Sequence, residues 1–538
     1  MNYFRFFHKK NGTSSVFMKS LLPEKYHNYI YLFSLVLLVV GLPLSKFLMS
    51  LSQIILVCNW VLEGDLKNKC IAFWKNKSAL ILSSLLLLHF VGLIYTSDFA
   101  YGIKDIRIKI PLFILPLIIS TSKPLSQKLF DGILQLFVAA IIVATAISTL
   151  ILVGVIHRTV VDTRDISIFI SHIRFALLIC VAVFVSAYFI YNSIALWTKI
   201  MWAGIALWLI VFLILLESLT GLAALYITAL LLIIHTVLKS KNKLIKYGGL
   251  ALLIGSILLL SCYIVSMVND NNKKEFVDLY KLDRFTKRGN AYEHDIHAKS
   301  TENGHLIWMY CCKEELEESW NKRSEIKIGS NDLRGNSIYF TLIRFLTSKG
   351  LRKDAEGMAL LTDDEVKAIE RGVPNVNYQS ISSISGRIHE TLWEIDLYEK
   401  TGNANGHSLT QRFEYWKTAC GIIKDNLLFG VGTGDVPMAF EQAYEKNNSS
   451  LKKEWRLRSH NQYLSIAVAF GIIGLLWFLV TLIYPLVNEK RGFNFLYITF
   501  FIVVIISFFT EDTLETQAGV TFYAFLNSFF LFSKKNKN

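Results

Sequence analysis

Charged residues are scarce in this sequence: Asp, Glu, Lys and Arg make up 18% of its 538 residues, whereas hydrophobic residues make up 53%. Proline and cysteine are also rare, with 8 and 7 copies. So little charge argues against a series of soluble domains, and apolar runs of bilayer length recur at both ends of the chain. The sequence therefore predicts a polytopic, all-α membrane protein.

Cysteine spacing excludes a common class of metal site. No two cysteines have the CxxC spacing of a zinc site, and the seven do not form a disulfide framework. The segment "YEHDIH" (292–297) has metal-capable side chains but lacks a third well-spaced ligand, so no metal site is predicted. An oxidising compartment would permit one disulfide among three cysteines of the hydrophilic segment: Cys311, Cys312 and Cys420.

About twelve apolar segments have the length that a membrane span requires, roughly 15–25 residues. They lie near residues 28–43, 46–62, 78–96, 108–121, 129–154, 168–191, 198–216, 219–238, 245–267, 461–487, 493–510 and 517–533. The first, second and fourth are the least clearly delimited. We predict three blocks: an N-terminal membrane domain (1–267), a large, mostly helical hydrophilic domain (268–459) and a C-terminal membrane domain (460–538).

The net charge of +14 is located in short loops rather than in the hydrophilic domain. Residues 268–459 contain 28 Lys and Arg against 29 Asp and Glu. The excess positive charge lies mainly in alternate loops, which include Lys67–Lys77, Lys123 and Lys128, Lys239–Lys246, Lys490 and Arg491, and Lys534–Lys537. The positive-inside rule then places both termini in the cytoplasm and 268–459 outside, in a bacterial periplasm or its equivalent. Nucleic acid is not needed to explain the charge.

A helix with an interfacial character is predicted at the end of the hydrophilic domain. Arg412 and Trp416 are four residues apart, so they share one helix face. Arg412 either points toward an anionic group at the span ends or extends its charge from an interfacial helix. The following "FGVGTGD" (429–435) lacks the features of a nucleotide-binding loop. We interpret it as a tight turn with close backbone approach, for example to a lipid-linked ligand.

Ionisable residues gather at the predicted outer ends of three spans. His172 and Arg174 begin one span, and Arg456, Arg458 and His460 precede another. Such residues are costly in a membrane and usually face a bundle interior or a cavity, although an interfacial anchor is the alternative. Arginines suit phosphate or pyrophosphate, and a histidine suits proton removal from a hydroxyl. Glu217 is either structural or site-lining, and we interpret an acidic loop as solvated: Glu511, Asp512 and Glu515.

These motifs resemble one family. The Arg–Trp helix, "LLFGVGTGD", then "SHNQYL" running into "GIIGL" is similar to the O-antigen ligase and polymerase superfamily, most specifically over about 408–480. "SHIRFALL", "TLIRFLTSKGLRKDAEGMALLTDDE" and "TEDTLETQAGVTFYAFLNSFF" extend the resemblance over most of the chain. The sequence departs from the family at 218–221, where it reads Ser-Leu-Thr-Gly instead of a Ser-Arg pair, and its insertion is larger than in typical ligases.

The resemblance implies a GT-C-like, metal-independent, inverting glycosyltransferase without a cofactor, acting at the periplasmic face of the inner membrane. Its partners would be an undecaprenyl pyrophosphate-linked glycan, lipid A-core or another hydroxyl acceptor, and membrane lipids. By motif, His460 would be the catalytic base, and Arg174, Arg412 and Arg458 would bind pyrophosphate. Further candidates to line the site are His172, Trp416, Glu217 and Asn461.

Several functions remain open at this stage. The leading hypothesis is a ligase that joins the polysaccharide to lipid A-core. An O-antigen polymerase or an O-linked protein oligosaccharyltransferase uses the same chemistry with a different acceptor. A transporter for the lipid-linked glycan would be expected to place charges or broken helices near the bilayer midplane, and internal repeats are not seen. A sensor would need a cytoplasmic output domain, for which the loops are too short.

Overall fold

The fold is almost entirely helical, as predicted. A computed structural model describes residues 22–158, 160, 162–272, 281–298, 300–378, 384–489 and 494–534, and helices account for 72% of it. Among the basic residues used for orientation, Lys490, Arg491, Lys535 and Lys537 lie outside the described residues. The N-terminal half contains α1 (Glu24–Leu44), α2 (Lys46–Leu62), α3 (Leu66–Lys75), α4 (Lys77–Gly92), α5 (Phe99–Lys109), α6 (Pro111–Thr121), α7 (Gln127–Leu152), α8 (His172–Asn192), α9 (Leu196–Leu215), α10 (Leu219–Lys239) and α11 (Lys243–Asn272).

The hydrophilic segment contributes short helices and one small hairpin. Strands β1 (Thr301–Glu302) and β2 (His305–Leu306) pair antiparallel. The helices that follow are α12 (Lys313–Arg323), α13 (Ile338–Ser348), α14 (Ala355–Ala359), α15 (Asp363–Glu370), α16 (Ile384–Thr401), α17 (Ser408–Asp425) and α18 (Val436–Lys446). The C-terminal block consists of α19 (Gln462–Asn488), α20 (Phe495–Thr510) and α21 (Gln517–Phe532).

Each of the twelve predicted apolar segments coincides with a helix, but not every helix is long enough to span a bilayer alone. Seven are long and apolar enough: α1, α7, α8, α9, α10, α11 and α19. Helices α2 and α3 form a pair bent by 113°, and α4, α20 and α21 are shorter apolar helices. Helix α6 has only 11 residues and contains Pro111 and Pro116. The protein is therefore a multi-pass helical membrane protein, and the number of twelve spans stays a prediction.

One large hydrophobic core unites the apolar helices. Helix α21 lies within it, and its side chains are buried continuously from Ala518 to Leu531. Helix α11 is the opposite case, since none of its apolar stretch is buried within the protein. A predominantly apolar, unburied stretch such as Lys243–Asn269, 27 residues long, is stable where lipid surrounds it, because a helix satisfies its backbone groups internally.

The predicted 268–459 domain contributes to two different cores. Residues between Ile307 and Val373, including Trp320 and Leu342, form a separate small core. Tyr415 and Ala419 of α17 belong instead to the core of the membrane helices. The Arg412 helix thus packs against the end of the helical bundle, while the middle of the insertion folds around its own apolar centre.

Helix α19 is broken at Gly471, where φ is 64°. The freed carbonyls of Val468 and Ala469 accept hydrogen bonds from the backbone amides of Val431 and Gly432, both at 2.9 Å. Backbone polar groups at membrane depth need such partners because no water is present to replace them. The glycine-rich loop between α17 and α18 therefore supplies the hydrogen-bond donors that the carbonyls of α19 lose at the break.

This arrangement corrects our interpretation of "FGVGTGD". A Cβ on Gly430 would lie 2.4 Å from the backbone carbon of Ala469. The close approach predicted from the glycines is thus made to α19 and not to a ligand. Asp435, at the end of the motif, accepts hydrogen bonds from the amides of Ser97 and Asp98, at 2.8–2.9 Å and 2.7 Å. The motif is a structural joint between α4, α5 and α19.

Candidate active site

A cavity of about 1010 Å³ opens at the end of the bundle where α8, α10 and α19 begin. Its walls come from these helices, from α17 and from the loop between α20 and α21. It contains seven of the eight residues proposed from sequence: His172, Arg174, Glu217, Arg412, Trp416, Arg458 and His460. Residues up to 415 positions apart in the chain, from Tyr101 to Thr516, thus line a single cavity.

Asn461 is the exception. It is not among the lining residues of the cavity. Its side-chain oxygen accepts a hydrogen bond from the amide of Leu464, and its side-chain nitrogen donates to the carbonyl of Phe509. The first turn of a helix leaves backbone amides unpaired, and Asn is a preferred cap. The structure therefore gives Asn461 the role of capping α19, next to the site.

Arg412 projects from α17 toward the loop after α20. Its Nη2 donates to Oε1 of Glu511 at 3.0 Å, and its Nη1 donates to the carbonyl of Ser408 at 3.2 Å. Its Nε is buried and has no hydrogen-bond partner. The guanidinium is thus held in position while part of its donor capacity stays available.

Arg174 lies in the first turn of α8 on the opposite wall. Its Nη1 donates to Oγ of Ser171 at 2.9 Å, and its Nε is buried without a partner. Among the described residues no carboxylate lies within ion-pair distance of this guanidinium. Arg174 is partly buried at the end of a span, and its nearest influence from a protein carboxylate is the longer-range charge of Glu511, so this guanidinium favours an anionic ligand.

His460 stands between the arginines and two carboxylates. Its Nδ1 lies 3.7 Å from Oε2 of Glu511 and 3.8 Å from Oδ1 of Asp512. Burial lowers the pKa of His460, but the interaction with Glu511 and the charge of Asp512 outweigh burial and raise the pKa above its usual value. Its φ of 46° is left-handed, and such backbone strain persists where the surroundings enforce it. His460 is thus a fixed and strengthened base.

The acidic loop contradicts our interpretation of it as solvated. Glu511 and Asp512 are 8% and 6% exposed, and Glu515 faces inward with them. Burial raises the pKa of Glu511, yet His460, Arg412 and Arg174 outweigh it and hold that pKa below its usual range. Burial raises the pKa of Asp512, and here the neighbouring cations do not outweigh it. The interpretation was wrong because the counter-charges come from distant parts of the chain.

Arg458 connects the cavity to a deeper charged cluster. Its Nη1 donates to Oε2 of Glu515 at 3.1 Å, and its Nε lies 3.8 Å from Asp512. The same Glu515 oxygen accepts a hydrogen bond from Nζ of Lys109 at 2.7 Å, and Lys109 also binds Asp105 at 2.6 Å. Arg458 therefore has two protein carboxylates as counter-charges, whereas Arg174 has none within ion-pair distance among the described residues.

Unpartnered hydrogen-bonding atoms concentrate in this cavity. Five of the buried side-chain nitrogens without a partner belong to its lining: Arg174 Nε, Gln411 Nε2, Arg412 Nε, Trp416 Nε1 and His460 Nδ1. All but the histidine nitrogen are obligate donors. Buried donors are normally satisfied, so a cluster of them indicates a ligand rich in acceptor oxygens.

The same cluster also has metal-compatible spacing. One ligand atom each from His460, Glu511 and Asp512 lies within 4.8 Å of the others. Arg412 and Arg458 already place positive charge beside both carboxylates. A divalent cation would have to compete with these guanidinium groups, so the arrangement fits an ion-pair network better than a cation site.

Several members of the site were not identified from sequence. Gln411 and Ser218 line the cavity without any motif that distinguishes them. Lys109 is not among the candidates indicated by the sequence, and the structure places it fully buried between the carboxylates of Asp105 and Glu515. One feature of the sequence could have identified Lys109: it stands at the start of the apolar segment 110–121, which contains no acidic residue.

The fold and the cavity define a class: a multi-pass helical membrane protein with an anion-attracting, histidine-containing pocket at one end of its bundle. Residues 357–479 match a family model described as O-Antigen ligase. This part of the chain is similar to that family, and the predicted resemblance to the O-antigen ligase superfamily is confirmed over these residues. The match includes Arg412, Arg458 and His460, whereas Arg174 lies outside it. No curated protein matches the chain.

Proposed function

We propose that the protein is an O-antigen ligase-like glycosyltransferase. It transfers a polysaccharide from undecaprenyl pyrophosphate to a hydroxyl group of lipid A-core at the periplasmic face of the bacterial inner membrane. The observation that supports this most is the group of unpartnered donors on Arg174, Arg412, Gln411 and Trp416 around one cavity. A pyrophosphate supplies the acceptor oxygens and the negative charge that such a set of donors binds.

In the proposed reaction the acceptor hydroxyl oxygen attacks the anomeric carbon from the face opposite the pyrophosphate. The new carbon–oxygen bond forms as the bond to pyrophosphate breaks, and its electron pair leaves on the phosphate oxygen. Arg174 and Arg412 stabilise this developing charge, because positioned donors act strongly in a cleft that excludes water. The configuration at the anomeric carbon is inverted.

His460 takes the proton of the acceptor hydroxyl. Its Nδ1 faces Glu511 and Asp512, which leaves Nε2 for the acceptor. The carboxylates stabilise the imidazolium that forms, and they orient the ring. Arg458 keeps Asp512 and Glu515 in place and contributes positive charge from the side. His172, Trp416 and Glu217 shape the entrance around the donor.

Placement in the cell follows from the same proposal. Both termini are cytoplasmic, and the membrane domains (1–267 and 460–538) flank a periplasmic 268–459 segment. The family relation supports a GT-C-like architecture. The arginines supply the positive charge that a metal ion provides elsewhere, so the reaction is metal-independent. A polymerase or an O-linked protein oligosaccharyltransferase would use the same residues with another acceptor.

The test is complementation of a strain that lacks the protein. Wild type and the variants Arg174→Ala, Arg412→Lys and His460→Ala are expressed at matched levels, with Arg288→Ala and His297→Ala as controls. Arg288 is a half-exposed residue of the insertion, and His297 is exposed. The three site variants are expected to lose polymer-bearing lipopolysaccharide and to accumulate full-length lipid-linked polymer, while both controls retain it.

Other outcomes discriminate between the functions. Lipopolysaccharide with single repeats on the core indicates a polymerase, and loss of glycoprotein alone indicates an oligosaccharyltransferase. Failure to move the lipid-linked donor across the membrane indicates a transporter. Wild-type behaviour of all three site variants would show that the proposed site is wrong.

A further inference from the structure

A second cavity lies beside the candidate active site, between the bundle and the insertion. Its volume is about 290 Å³, close to the lower end of the range of small-molecule sites, about 300–1,000 Å³. Its walls come from the segment after α7, the turn between α9 and α10, the loop between α12 and α13, the segment after α15 and the start of α16. Arg164, Glu217 and Arg387 line both cavities, so the two are adjacent.

Arginine dominates this second cavity. Five arginines line it, against three acidic residues: Arg158, Arg164, Arg334, Arg371 and Arg387, with Asp162, Glu217 and Glu390. Positive charge thus exceeds negative charge by two in a space enclosed largely by protein. Guanidinium groups bind phosphate and carboxylate with two parallel hydrogen bonds, which favours an anionic ligand over a neutral one.

Three of the arginines are engaged by the acidic residues. Nε of Arg164 donates to Oδ1 of Asp162 at 2.7 Å, and Arg387 binds Glu390. Arg334 lies between the two acids, 3.8 Å from Asp162 and 4.0 Å from Glu390. The acidic residues of this cavity therefore hold these guanidinium groups in a fixed arrangement.

The other two arginines are the ones that lack a counter-charge. Within the described ranges, neither Arg158 nor Arg371 has an ion-pair partner. Arg158 is exposed at the rim, and Arg371 follows α15 as its C-terminal cap. Apolar residues complete the wall, including Val373, Pro374 and the ring of Tyr378. A ligand that contains a ring with an apolar face and a charged substituent would fit this combination of arginines and apolar residues.

We propose that this cavity binds a sugar bearing a phosphate or carboxylate group, as part of the acceptor. Arg371 and Arg158 hold the charged group, and Tyr378 packs against the sugar ring. The acceptor role rests on the proposed function, whereas anion binding rests on the arginines alone. The ligand lies next to His460's cavity, so a hydroxyl group of the same glycan chain can reach it.

The test measures binding of defined probes to the full-length protein in lipid nanodiscs. Saturation-transfer NMR compares glucose 6-phosphate, glucuronate and neutral glucose. At least one of the two acidic sugars is expected to bind, glucose is not, and Arg371→Gln weakens binding about tenfold, the loss of one strong hydrogen bond. Arg158→Gln is the second variant, since an exposed loop residue tolerates substitution without unfolding.

Two controls separate this inference from the proposed function. Arg288→Gln changes an arginine of the insertion outside the cavity and is expected to bind the acidic probes as wild type does. Arg412→Gln changes the candidate active site, and persistence in this variant of the binding that depends on Arg371 assigns that binding to the second cavity. Equal binding of glucose, or wild-type binding by both Arg371→Gln and Arg158→Gln, would overturn the proposal. Loss of binding only in Arg412→Gln would assign the anion to the candidate active site instead. If transfer fails in complementation while this binding pattern persists, the acceptor role is wrong and the anion site stands.

Discussion

Lys109 and Glu515 form a buried ion pair across 406 positions of the chain, with 2.7 Å between Nζ and Oε2. Both side chains are less than 10% exposed. Glu515 also holds Arg458, which lies near Asp512, which in turn lies near His460. An alternating series of charges thus connects α5 with the candidate active site. Glu515 lies between Lys109 and Arg458, and Asp512 lies between Arg458 and His460, so removal of one cation leaves its carboxylate with a single partner.

Replacement of Lys109 tests the structural contribution of this series. Lys109→Met removes the cation that Asp105 and Glu515 share, which leaves Glu515 with Arg458 alone and Asp105 with His89 alone, and breaking this buried pair costs about 3–5 kcal/mol. We expect Tm of the purified protein in detergent to fall by ~5 °C or more. The matched control is Lys104→Met on the exposed side of α5, which is expected to leave Tm unchanged. Equal Tm values for the two variants would contradict a role for the Lys109 pair in stability.

The pH dependence of transfer tests the pairing of Glu511 with His460. The carboxylate raises the pKa of His460, so His460 keeps its proton to a higher pH than an ordinary histidine. Activity of wild type should therefore rise with pH through a raised midpoint. Removing the charge in Glu511→Gln lowers that pKa, and the rising limb should move to lower pH by roughly one unit or more.

The measurement is the transfer rate from purified lipid-linked glycan between pH 5 and 9. Glu441→Gln, a half-exposed acid on the cavity wall that lies 4.0 Å from Arg456, is the control and should keep the wild-type profile. Slower transfer in Glu511→Gln with an unmoved limb would mean that His460 is not the titrating base.

Chelation tests the assignment of positive charge to the arginines. Arg412 and Arg458 neutralise Glu511 and Asp512 directly, so the transfer rate should be unaffected by EDTA. The rate is measured with and without chelator, followed by added Mg²⁺, Mn²⁺ or Ca²⁺. Loss of activity that one of these ions restores would instead assign a cation to His460, Glu511 and Asp512.

Two glycine variants test the contact between the glycine-rich loop and α19, and they are expected to change the stability of the protein in opposite directions. A Cβ on Gly471 would lie 2.3 Å from the backbone of Leu428, and φ is positive there. Gly471→Ala should therefore destabilise the protein by about 1–3 kcal/mol. Gly421 lies inside α17 with open space around it, so Gly421→Ala should stabilise by about 0.5–1 kcal/mol. Thermal unfolding of both variants checks the difference, and the same sign for both would contradict the joint.

Hydropathy located the helices because it is a local property. Every predicted apolar segment, including the short one near 108–121, coincides with a helix. The arginines and His460 were recognisable because a charge next to an apolar run is conspicuous without any knowledge of its neighbours. The number of membrane spans could not be predicted in the same way. It depends on Pro111 and Pro116 in α6 and on the bend between α2 and α3, and the geometry of such segments is set by how the helices pack.

The acidic residues were missed for the opposite reason. "TEDTLETQ" has the composition of an exposed turn, and its partners are remote: Arg412 is 99 residues from Glu511 in the chain. The role of the glycines was also non-local, because Gly430 is required by the close backbone of 468–470 and Gly471 by the close backbone of Leu428 and Phe429. Pairings at such separations follow from tertiary packing and carry no local signature.

The break in α19 sets the distance between the two halves of the candidate site. Arg412 lies on the helix that leads into the loop 426–434, and His460 immediately precedes α19. Backbone hydrogen bonds from this loop to Val468 and Ala469, and from Ile472 back to Leu427, fasten the two helices to each other. These main-chain hydrogen bonds therefore fix the distance between α17 and α19. Inserting or deleting one residue between Asn426 and Gly432 would shift the guanidinium of Arg412 relative to the imidazole of His460.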